Sequence, residues 1–399
     1  MKLFKKAITA LAVLSLVGSA IPMSVSAATY DPCDVNHDGV VDIIDALSIN
    51  KYLSGQKTVL QYNQLDANRN LIVDATDADC VMAKTAELSY TASFYSRKNN
   101  KNVAFPSVPS DIILNGVSGS TTSRTYRRYS YNSKKELGTY NLTPNVESVN
   151  KLDSDVDVYR LQSTDDRVKA KNLDENTGLV YLSTGGTGFI VGDHVIATAA
   201  HCVYNTSFES KMDIYTYSKS GELSGDMLTA VEAHVPQSYT SSFSTQYDYA
   251  LITVEDDLSE DNGYFHFKLG TAYNAVSPYF SNIPIYVTGY PSVLGDDNSI
   301  HNPTFSLYTG EGKVINLDNN SSYASNNKQI LYYDVDTTWG DSGAPVYAIV
   351  RSKTGSDNEK YTKVVLAIHH GGYENNYNLG SLITNYHLQF YKNNPNINY

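Results

Sequence analysis

Three short segments of this 399-residue chain hold side chains suited to nucleophilic chemistry. Gly340-Asp341-Ser342-Gly343-Ala344-Pro345 sets a serine between glycines. Thr198-Ala199-Ala200-His201-Cys202 places a histidine after an apolar run, and Tyr247-Asp248-Tyr249-Ala250-Leu251 offers a carboxylate just before one. A serine hydroxyl is a poor nucleophile at neutral pH, and a hydrogen-bonded imidazole takes its proton as it attacks. A buried carboxylate fixes the imidazole tautomer and stabilises the imidazolium. A glycine at 340 permits a turn that aims its own N–H and that of Ser342 into one pocket, where two donors stabilise a tetrahedral oxyanion. The reading is Ser342 as nucleophile, His201 as general base and acid, Asp248 as orienting acid, with Gly340 and Ser342 as the oxyanion hole. Asp248 alone is a weak signal, because Asp is common in loops; the order His, Asp, Ser gives it meaning.

A second chemistry lies near the N-terminus. Residues 34–45 carry oxygen side chains at loop positions 1, 3, 5, 9 and 12, namely Asp34, Asn36, Asp38, Asp42 and Asp45. Gly39 stands at position 6, where a sharp turn is needed, and Val40 would offer its backbone carbonyl at position 7. A hard cation such as Ca2+ needs this many oxygens converging from a tight loop. A second copy supplies Asp66, Asn68, Asn70, Asp74 and Asp77, with the carbonyl of Ile72 at position 7. Leu71 replaces the glycine and Asn70 removes a charge, so the second Ca2+ site is expected to be the weaker. The competing reading is a pair of Asx-rich turns without metal.

The elements that must position these groups fall into two kinds. Each acidic loop runs into an apolar, helical-looking segment, Ala46 to Leu53 and Ala78 to Leu88. From about residue 165 the pattern changes to β-branched runs such as Gly188–Val191, His194–Ala197, Tyr249–Val254, Pro284–Thr288 and Val364–Ile368, separated by Gly, Asn, Asp and Pro. Helical stripes are missing there until the last dozen or so residues. Tyr 33 against Trp 1 also leans toward strands. The fold class expected is mainly β, a double antiparallel barrel preceded by a small helical calcium-binding unit.

Residues 89–160, rich in Ser, Tyr, Asn and Thr, include Arg97, Lys98, Lys101, Arg124, Arg127, Arg128, Lys134 and Lys135. They read as a basic linker, or as a pro-segment that docks on the acidic part that follows. At the start, Lys2, Lys5 and Lys6 precede the apolar run Ala7–Val17 and small residues end at Val25-Ser26-Ala27, the layout of a secretory signal over 1–27. The run is short for a membrane span. An exported protein without a membrane span is expected. The formal net charge of -12 makes nucleic acid an unsuitable partner. Of three cysteines, Cys33 and Cys80 stand at the ends of the acidic unit and could close it with a disulfide, or all three, with Cys202, stay thiols.

Two resemblances follow. The paired loops, both ending in Asp rather than Glu, resemble a type I dockerin over roughly 31–88. That implies a cohesin domain on a scaffoldin as partner, and a cellulosome-like complex outside the cell. Loop positions 10 and 11 often choose the partner in dockerins; here they are Ile43 and Ile44 in one copy and Ala75 and Thr76 in the other, so the two faces are not expected to be equivalent.

Residues 165–399 resemble the chymotrypsin-fold serine proteases, and most closely their bacterial glutamyl endopeptidase branch. The matches are Asp166-Arg167, Val287-Thr-Gly-Tyr-Pro291, Tyr333-Asp-Val-Asp-Thr-Thr338 and Ala367-Ile-His-His-Gly-Gly372. The resemblance implies a serine endopeptidase that needs no cofactor for catalysis and acts on protein or peptide substrates. It implies Thr337 and His369 as the groups that bind an acidic P1 side chain. His370 stands where the branch often has Trp, which puts the pocket wall in doubt. Asp336 lies where trypsin-like enzymes carry the Asp that pairs with a basic P1, so a basic preference stays open, as does a catalytically inactive binding protein. The resemblance also implies a zymogen cut within about 150–166, whose new amine would assist P1 recognition. Cys202 lacks the upstream cysteine that pairs with its counterpart in animal trypsin-like enzymes, which implies a buried thiol.

Overall fold

The computed structural model describes residues 31–54, 60, 62–70, 72–85, 90–104, 123–143, 167–170, 178–217, 223–270, 283–291, 306–315, 329–354, 358–373, 377–392 and 394–397. The expected signal segment, 1–27, and the span expected to be cleaved, 150–166, lie outside the described residues.

The N-terminal unit holds helices α1 (Ile43–Leu53), α2 (Tyr62–Leu65) and α3 (Ala75–Thr85). The acidic loops start the two longer helices. Asp42 Oδ1 accepts from the Ile44 N–H at 2.7 Å and Asp45 Oδ2 accepts from the Asp42 N–H at 2.9 Å, a reciprocal cap of the kind that satisfies the orphan donors of a helix start. The second copy repeats it, with Asp74 Oδ1 on the Thr76 N–H and Asp77 Oδ2 on the Asp74 N–H, both at 2.8 Å. The inward faces, including Ala46, Ile49, Ala78 and Val81, pack with Val35, Leu65 and Val73 in one small core. Cys33 and Cys80 are buried thiols there with their sulfurs 3.7 Å apart, and Cys202 is a third buried thiol.

The rest is built from strands. In chain order they are β1 (Tyr90–Ser96), β2 (Lys101–Ala104), β3 (Arg124–Ser130), β4 (Lys135–Leu142), β5 (Val168–Lys169), β6 (Leu179–Leu182), β7 (Thr187–Gly192), β8 (Val195–Thr198), β9 (Tyr204–Asn205) and β10 (Ser207–Phe208). There follow β11 (Asp213–Tyr217), β12 (Leu223–Pro236), β13 (Ala250–Val254), β14 (Lys268–Leu269), β15 (Pro284–Gly289), β16 (Tyr308–Lys313), β17 (Ile330–Tyr333), β18 (Pro345–Thr354), β19 (Asn358–Tyr373) and β20 (Tyr377–Leu382). Two further helices, α4 (Gln237–Ser242) and α5 (Asn385–Lys392), complete the set, α5 falling where the last helical stripe was expected.

Strands β11, β6, β7, β8, β13 and β12 pair in that order, and β12 pairs back to β11, which closes a six-stranded antiparallel barrel. The second sheet runs β17, β20, β19, β18, β15, β16. Just after β16, Val314 bridges to Tyr333 of β17 and the Ile315 N–H bonds the Tyr332 carbonyl at 2.9 Å, so this sheet also curls round on itself. Closure removes the open edges at which strands would pair with other chains. Strands β6, β8 and β13 bury Leu179, Leu182, Val195, Ile196, Leu251 and Ile252 completely.

Within the span expected to be a basic linker or a docked pro-segment, 89–160, the described residues 90–104 and 123–143 are mostly strand. Strand β1 pairs with β18 of the second sheet, and the β3–β4 hairpin extends the first sheet through β12. Along β3 the side chains alternate with a strand's period of two from Arg124 to Arg127. Arg124 and Tyr126 point inward, and the Arg124 guanidinium lies 3.6 Å from the Tyr386 ring centroid while donating to Tyr249 Oη at 3.0 Å and Gln329 Oε1 at 2.7 Å. Arg127 and Arg128 pair with Glu136 and Glu232. The basic residues of β3 thus stitch this hairpin into the β unit rather than forming a free docking face.

Candidate active site

Neighbouring strand ends bring His201 and Asp248 together. His201 lies on a single helical turn, Ala200–Cys202, directly after β8, and Asp248 follows the turn Thr245–Tyr247 directly before β13. Thr198 of β8 pairs with Ala250 of β13, so the two ends are adjacent in register. Asp248 Oδ1 accepts from the His201 backbone N–H at 2.9 Å and Oδ2 from His201 Nδ1–H at 2.7 Å. The carboxylate therefore fixes both the backbone and the ring of His201. Nε2 is the remaining nitrogen, and it has no hydrogen-bond partner among the described residues.

Charge follows geometry. Burial opposes an ionised Asp248, yet His201 and His370 hold its carboxyl far below the usual carboxylate range. Burial likewise opposes an imidazolium at His201, but the Asp248 carboxylate outweighs it and raises the ring well above the ordinary histidine value. The pair is built to stabilise a proton arriving on His201.

His370 enters this network, which the sequence did not reveal. The pairing of β19 with β20 slips one residue between His369 and Gly371, so His370 is the extra residue of a bulge. Bulges re-aim side chains, and here His370 Nδ1–H donates to Asp248 Oδ2. The His201 and His370 rings stand edge to face at 5.5 Å and 87°. His370, which stands where the resembled branch often has Trp, is a second imidazole on the same carboxylate; the doubled His in Ile368-His-His-Gly371 was the only available signal.

The loop Gly340–Pro345 that carries Ser342 is pinned from both barrels. Gly340 and Gly343 have φ of +102° and +81°, and a Cβ there would come 2.1 Å from the Tyr290 carbonyl oxygen and 2.2 Å from Thr198 Oγ1, so only glycine fits. Thr187 of β7 donates its N–H to the Ser342 carbonyl at 2.8 Å and its Oγ1–H to the Gly340 carbonyl at 2.7 Å. The Gly343 N–H bonds the His369 carbonyl, and the Ala344 N–H bonds the Asp341 carbonyl at 2.8 Å. In a trans peptide the N–H opposes the C=O, so this last bond turns the Ser342 N–H away from the loop's interior. The Cys202 thiol sits behind the Ser342 peptide, its sulfur 3.6 Å from the Ser342 carbonyl oxygen. Asp341 is buried with Arg167, whose Nη1 donates to Asp341 Oδ2 at 3.2 Å and Thr338 Oγ1 at 2.8 Å.

Thr337 and His369 are wholly buried, yet Thr337 Oγ1 and His369 Nε2 have no hydrogen-bond partner among the described residues. Tyr333 Oη lies 2.5 Å from His369 Nδ1 and donates to the Leu379 carbonyl at 3.2 Å, so it accepts from Nδ1–H and leaves Nε2 as the unprotonated nitrogen. Burial, reinforced by His370 and His201, pushes the His369 ring down to about 3. Asp336 is also buried.

The acidic loops fit a cation. In both, a residue at position 4 (His37, Arg69) adopts positive φ, and the oxygens gather around matching backbone donors. Asp34 accepts from the Asp38 and Gly39 N–H groups, and Asp66 from the Asn70 N–H. Asp45 and Asp77 are fully buried. Burial and the neighbouring Asp66 charge push the Asp77 carboxyl well above its usual range, as expected of a buried anion set that a bound cation would neutralise.

Comparison with known proteins gives the same two parts. Residues 32–84 match the dockerin type I domain and residues 186–352 the trypsin-like peptidase domain. The chain is 25% identical over 311 residues to a glutamyl endopeptidase of Bacillus licheniformis, covering 73% of this chain and 90% of that protein. It is 29% identical over 220 residues to an extracellular metalloprotease of Bacillus subtilis, covering 53% of this chain and 57% of that protein. Among solved structures it is similar to a Glu endopeptidase in complex with MPD, with 24% identity, 57% of this chain and 95% of that chain covered and a TM-score of 0.42. It is also similar to neuropsin, a serine protease expressed in the limbic system of mouse brain, with 16% identity, 54% and 94% covered and a TM-score of 0.41. The chain joins an N-terminal dockerin type I domain to a trypsin-like serine peptidase domain of chymotrypsin-like fold.

Proposed function

We propose that this protein is an exported serine endopeptidase that cleaves after acidic residues and is held on a scaffoldin cohesin through its calcium-loaded dockerin. In the reaction, Ser342 attacks the scissile carbonyl as His201 Nε2 takes its proton, and the N–H groups of Gly340 and Ser342 receive the oxyanion. His201 then gives that proton to the leaving amine, and water repeats the cycle on the acyl-enzyme. Asp248 holds the His201 tautomer throughout.

The acidic preference rests on one observation: two buried polar atoms, Thr337 Oγ1 and His369 Nε2, without partners among the described residues. Leaving such atoms unsatisfied costs stability, and a ligand that bonds both recovers it. A carboxylate does so once His369 is protonated. The empty site holds that ring neutral, so binding takes up a proton. The kinship to a glutamyl endopeptidase points the same way.

In the dockerin, Asp34, Asn36, Asp38, Asp42, Asp45 and the Val40 carbonyl would hold one Ca2+, and Asp66, Asn68, Asn70, Asp74, Asp77 and the Ile72 carbonyl a second. The ion supplies charge neutralisation that fixes the loops. Ile43, Ile44 and Leu47 are 62%, 49% and 44% exposed beside the first loop. Thr76, their counterpart in the second, is tied down, donating to Asp74 Oδ1 at 2.5 Å and accepting from Asn68 Nδ2–H at 2.9 Å. The first face is therefore the cohesin-binding one.

A metal-assisted hydrolase is the second reading. It is favoured by ligand atoms of His201, Asp248 and His370 lying within 4.8 Å of one another. The test is a peptide library varied at P1, with Ser342→Ala as control. Cleavage after Glu or Asp that is lost in S342A supports the proposal. Cleavage after Lys or Arg moves the pocket assignment to Asp336, and cleavage that persists in S342A contradicts the serine mechanism.

A further inference from the structure

We propose that Arg167 is the positioning residue of the nucleophile loop, and that it sets this loop in the uncut chain. The inference rests on the peptidase reading of Ser342. Asp341 immediately precedes Ser342, and its side chain is only 3% exposed. A carboxylate so placed must be paired, or the turn that carries it rearranges. Its cation comes from within the chain. Arg167, itself 3% exposed, donates from one nitrogen to both Asp341 Oδ2 and Thr338 Oγ1.

The same carboxylate oxygen accepts from the Thr338 N–H at 2.9 Å, and the Asp341 N–H returns to the Thr338 carbonyl at 3.1 Å. Guanidinium, hydroxyl, carboxylate and backbone thus form one closed knot across 338–341, spanning Gly340. Residue 342 follows directly, its N–H oriented by the Asp341 carbonyl's bond to Ala344.

Arg167 is delivered by ordinary strand pairing. Val168 and Lys169 of β5 sit opposite Thr309 and Tyr308 of β16, and the Ala170 N–H bonds the Leu307 carbonyl at 2.9 Å. Gly310 of β16 lies beside the Arg167 stem, where a Cβ would meet Arg167 Cγ at an ordinary 3.4 Å but Val335 Cγ1 at 2.7 Å. On the far side, Gly289 makes room for the carboxylate: a Cβ there would lie 2.6 Å from Asp341 Oδ1. The site is built for this pair.

None of these contacts uses a chain terminus. The resemblance to zymogen-forming proteases led to an expectation of cleavage within 150–166 and a new amine. The charge beside the nucleophile is already neutralised by a side chain, so setting the loop needs no cut. An active protease can then keep its dockerin.

The test uses the full chain in calcium. Arg167→Gln is expected to lower kcat by about a hundred-fold or more, as loss of one partner of a buried pair does, with a much smaller change in KM. The fraction of molecules that react with a serine-directed fluorophosphonate should fall in step while the dockerin still binds calcium. Free guanidinium ion should restore part of kcat to Arg167→Gly, and R167Q/D341N should exceed R167Q alone, because it removes the orphaned charge. A folded R167Q with kcat within about two-fold of wild type overturns the inference while leaving the peptidase reading intact. For the second half, wild type is labelled and its intact mass measured. Label on the chain that still carries the dockerin is expected; label confined to a fragment beginning near residue 166 overturns it. Absence of label from both cut and uncut chains overturns the peptidase reading, and this inference with it.

Discussion

The two halves of the molecule bury acids in opposite ways. In the peptidase, Asp248 and Asp341 come with their own cations or donors: two imidazoles on one, a guanidinium on the other. Despite burial, Asp248 is held far below the usual carboxylate range. In the dockerin, Asp77 is as deeply buried, but its charged neighbours are Asp66 and Asp74, and its carboxyl is pushed up. One half is electrostatically complete as a folded chain. The other gathers anions around a position that an external cation must fill. Hydrolysis and anchoring should therefore respond to different perturbations.

The largest effect expected is from Ser342→Ala, which should lower kcat by roughly 10⁶-fold, as removal of a triad nucleophile does. Cohesin binding by the same variant should be unchanged; a parallel loss of both would break the separation. Next is calcium removal. A chelator should abolish cohesin binding, read by calorimetry, while peptide hydrolysis in the same sample stays within about two-fold. Chelator-sensitive hydrolysis would favour the metal-assisted reading.

His369→Ala should cost about 10²-fold in kcat/KM for substrates with Glu at P1 and much less for an uncharged P1. Its pH dependence carries a sign. The P1 carboxylate raises the His369 ring from its low empty-site value, and affinity requires the protonated ring. KM for Glu substrates should thus rise as pH rises through the bound-state value, and a KM flat with pH would contradict proton uptake. His201 acts oppositely, since only its neutral form is a base: kcat/KM should climb with pH through its raised value.

His370→Ala should lower kcat by about ten-fold through loss of one charge-assisted bond to Asp248. The smallest effect sharpens the loop comparison. Asp45→Ala should weaken cohesin binding more than Asp77→Ala, because the exposed Ile43 and Ile44 adjoin the first loop.

How much of this was legible in the sequence depended on range. His201, Ser342 and the calcium loops sit in short motifs whose glycine turns and oxygen spacing are local, and the structure places His201 on Asp248 as the order of segments suggested. Helices α1, α3 and α5 and the strands β7, β8, β13, β15 and β19 were read from the sequence pattern; the other barrel strands were not. The hairpin at 124–142 was not, because the inward turn of Arg124 depends on Tyr249, Gln329 and Tyr386, far along the chain. His370 escaped because a one-residue bulge, set by pairing with β20, decides where it points. Arg167 was noticed as part of a match, but its role exists only where β5 meets β16.

The most direct test of the account is covalent labelling by a fluorophosphonate, with the modified residue mapped by mass spectrometry, in calcium and again in chelator. Label on Ser342 in both conditions, absent from S342A, is the predicted result. A chain that hydrolyses peptide without labelling at Ser342, or labels only when calcium is present, would contradict a self-contained serine site beside a calcium-dependent anchor.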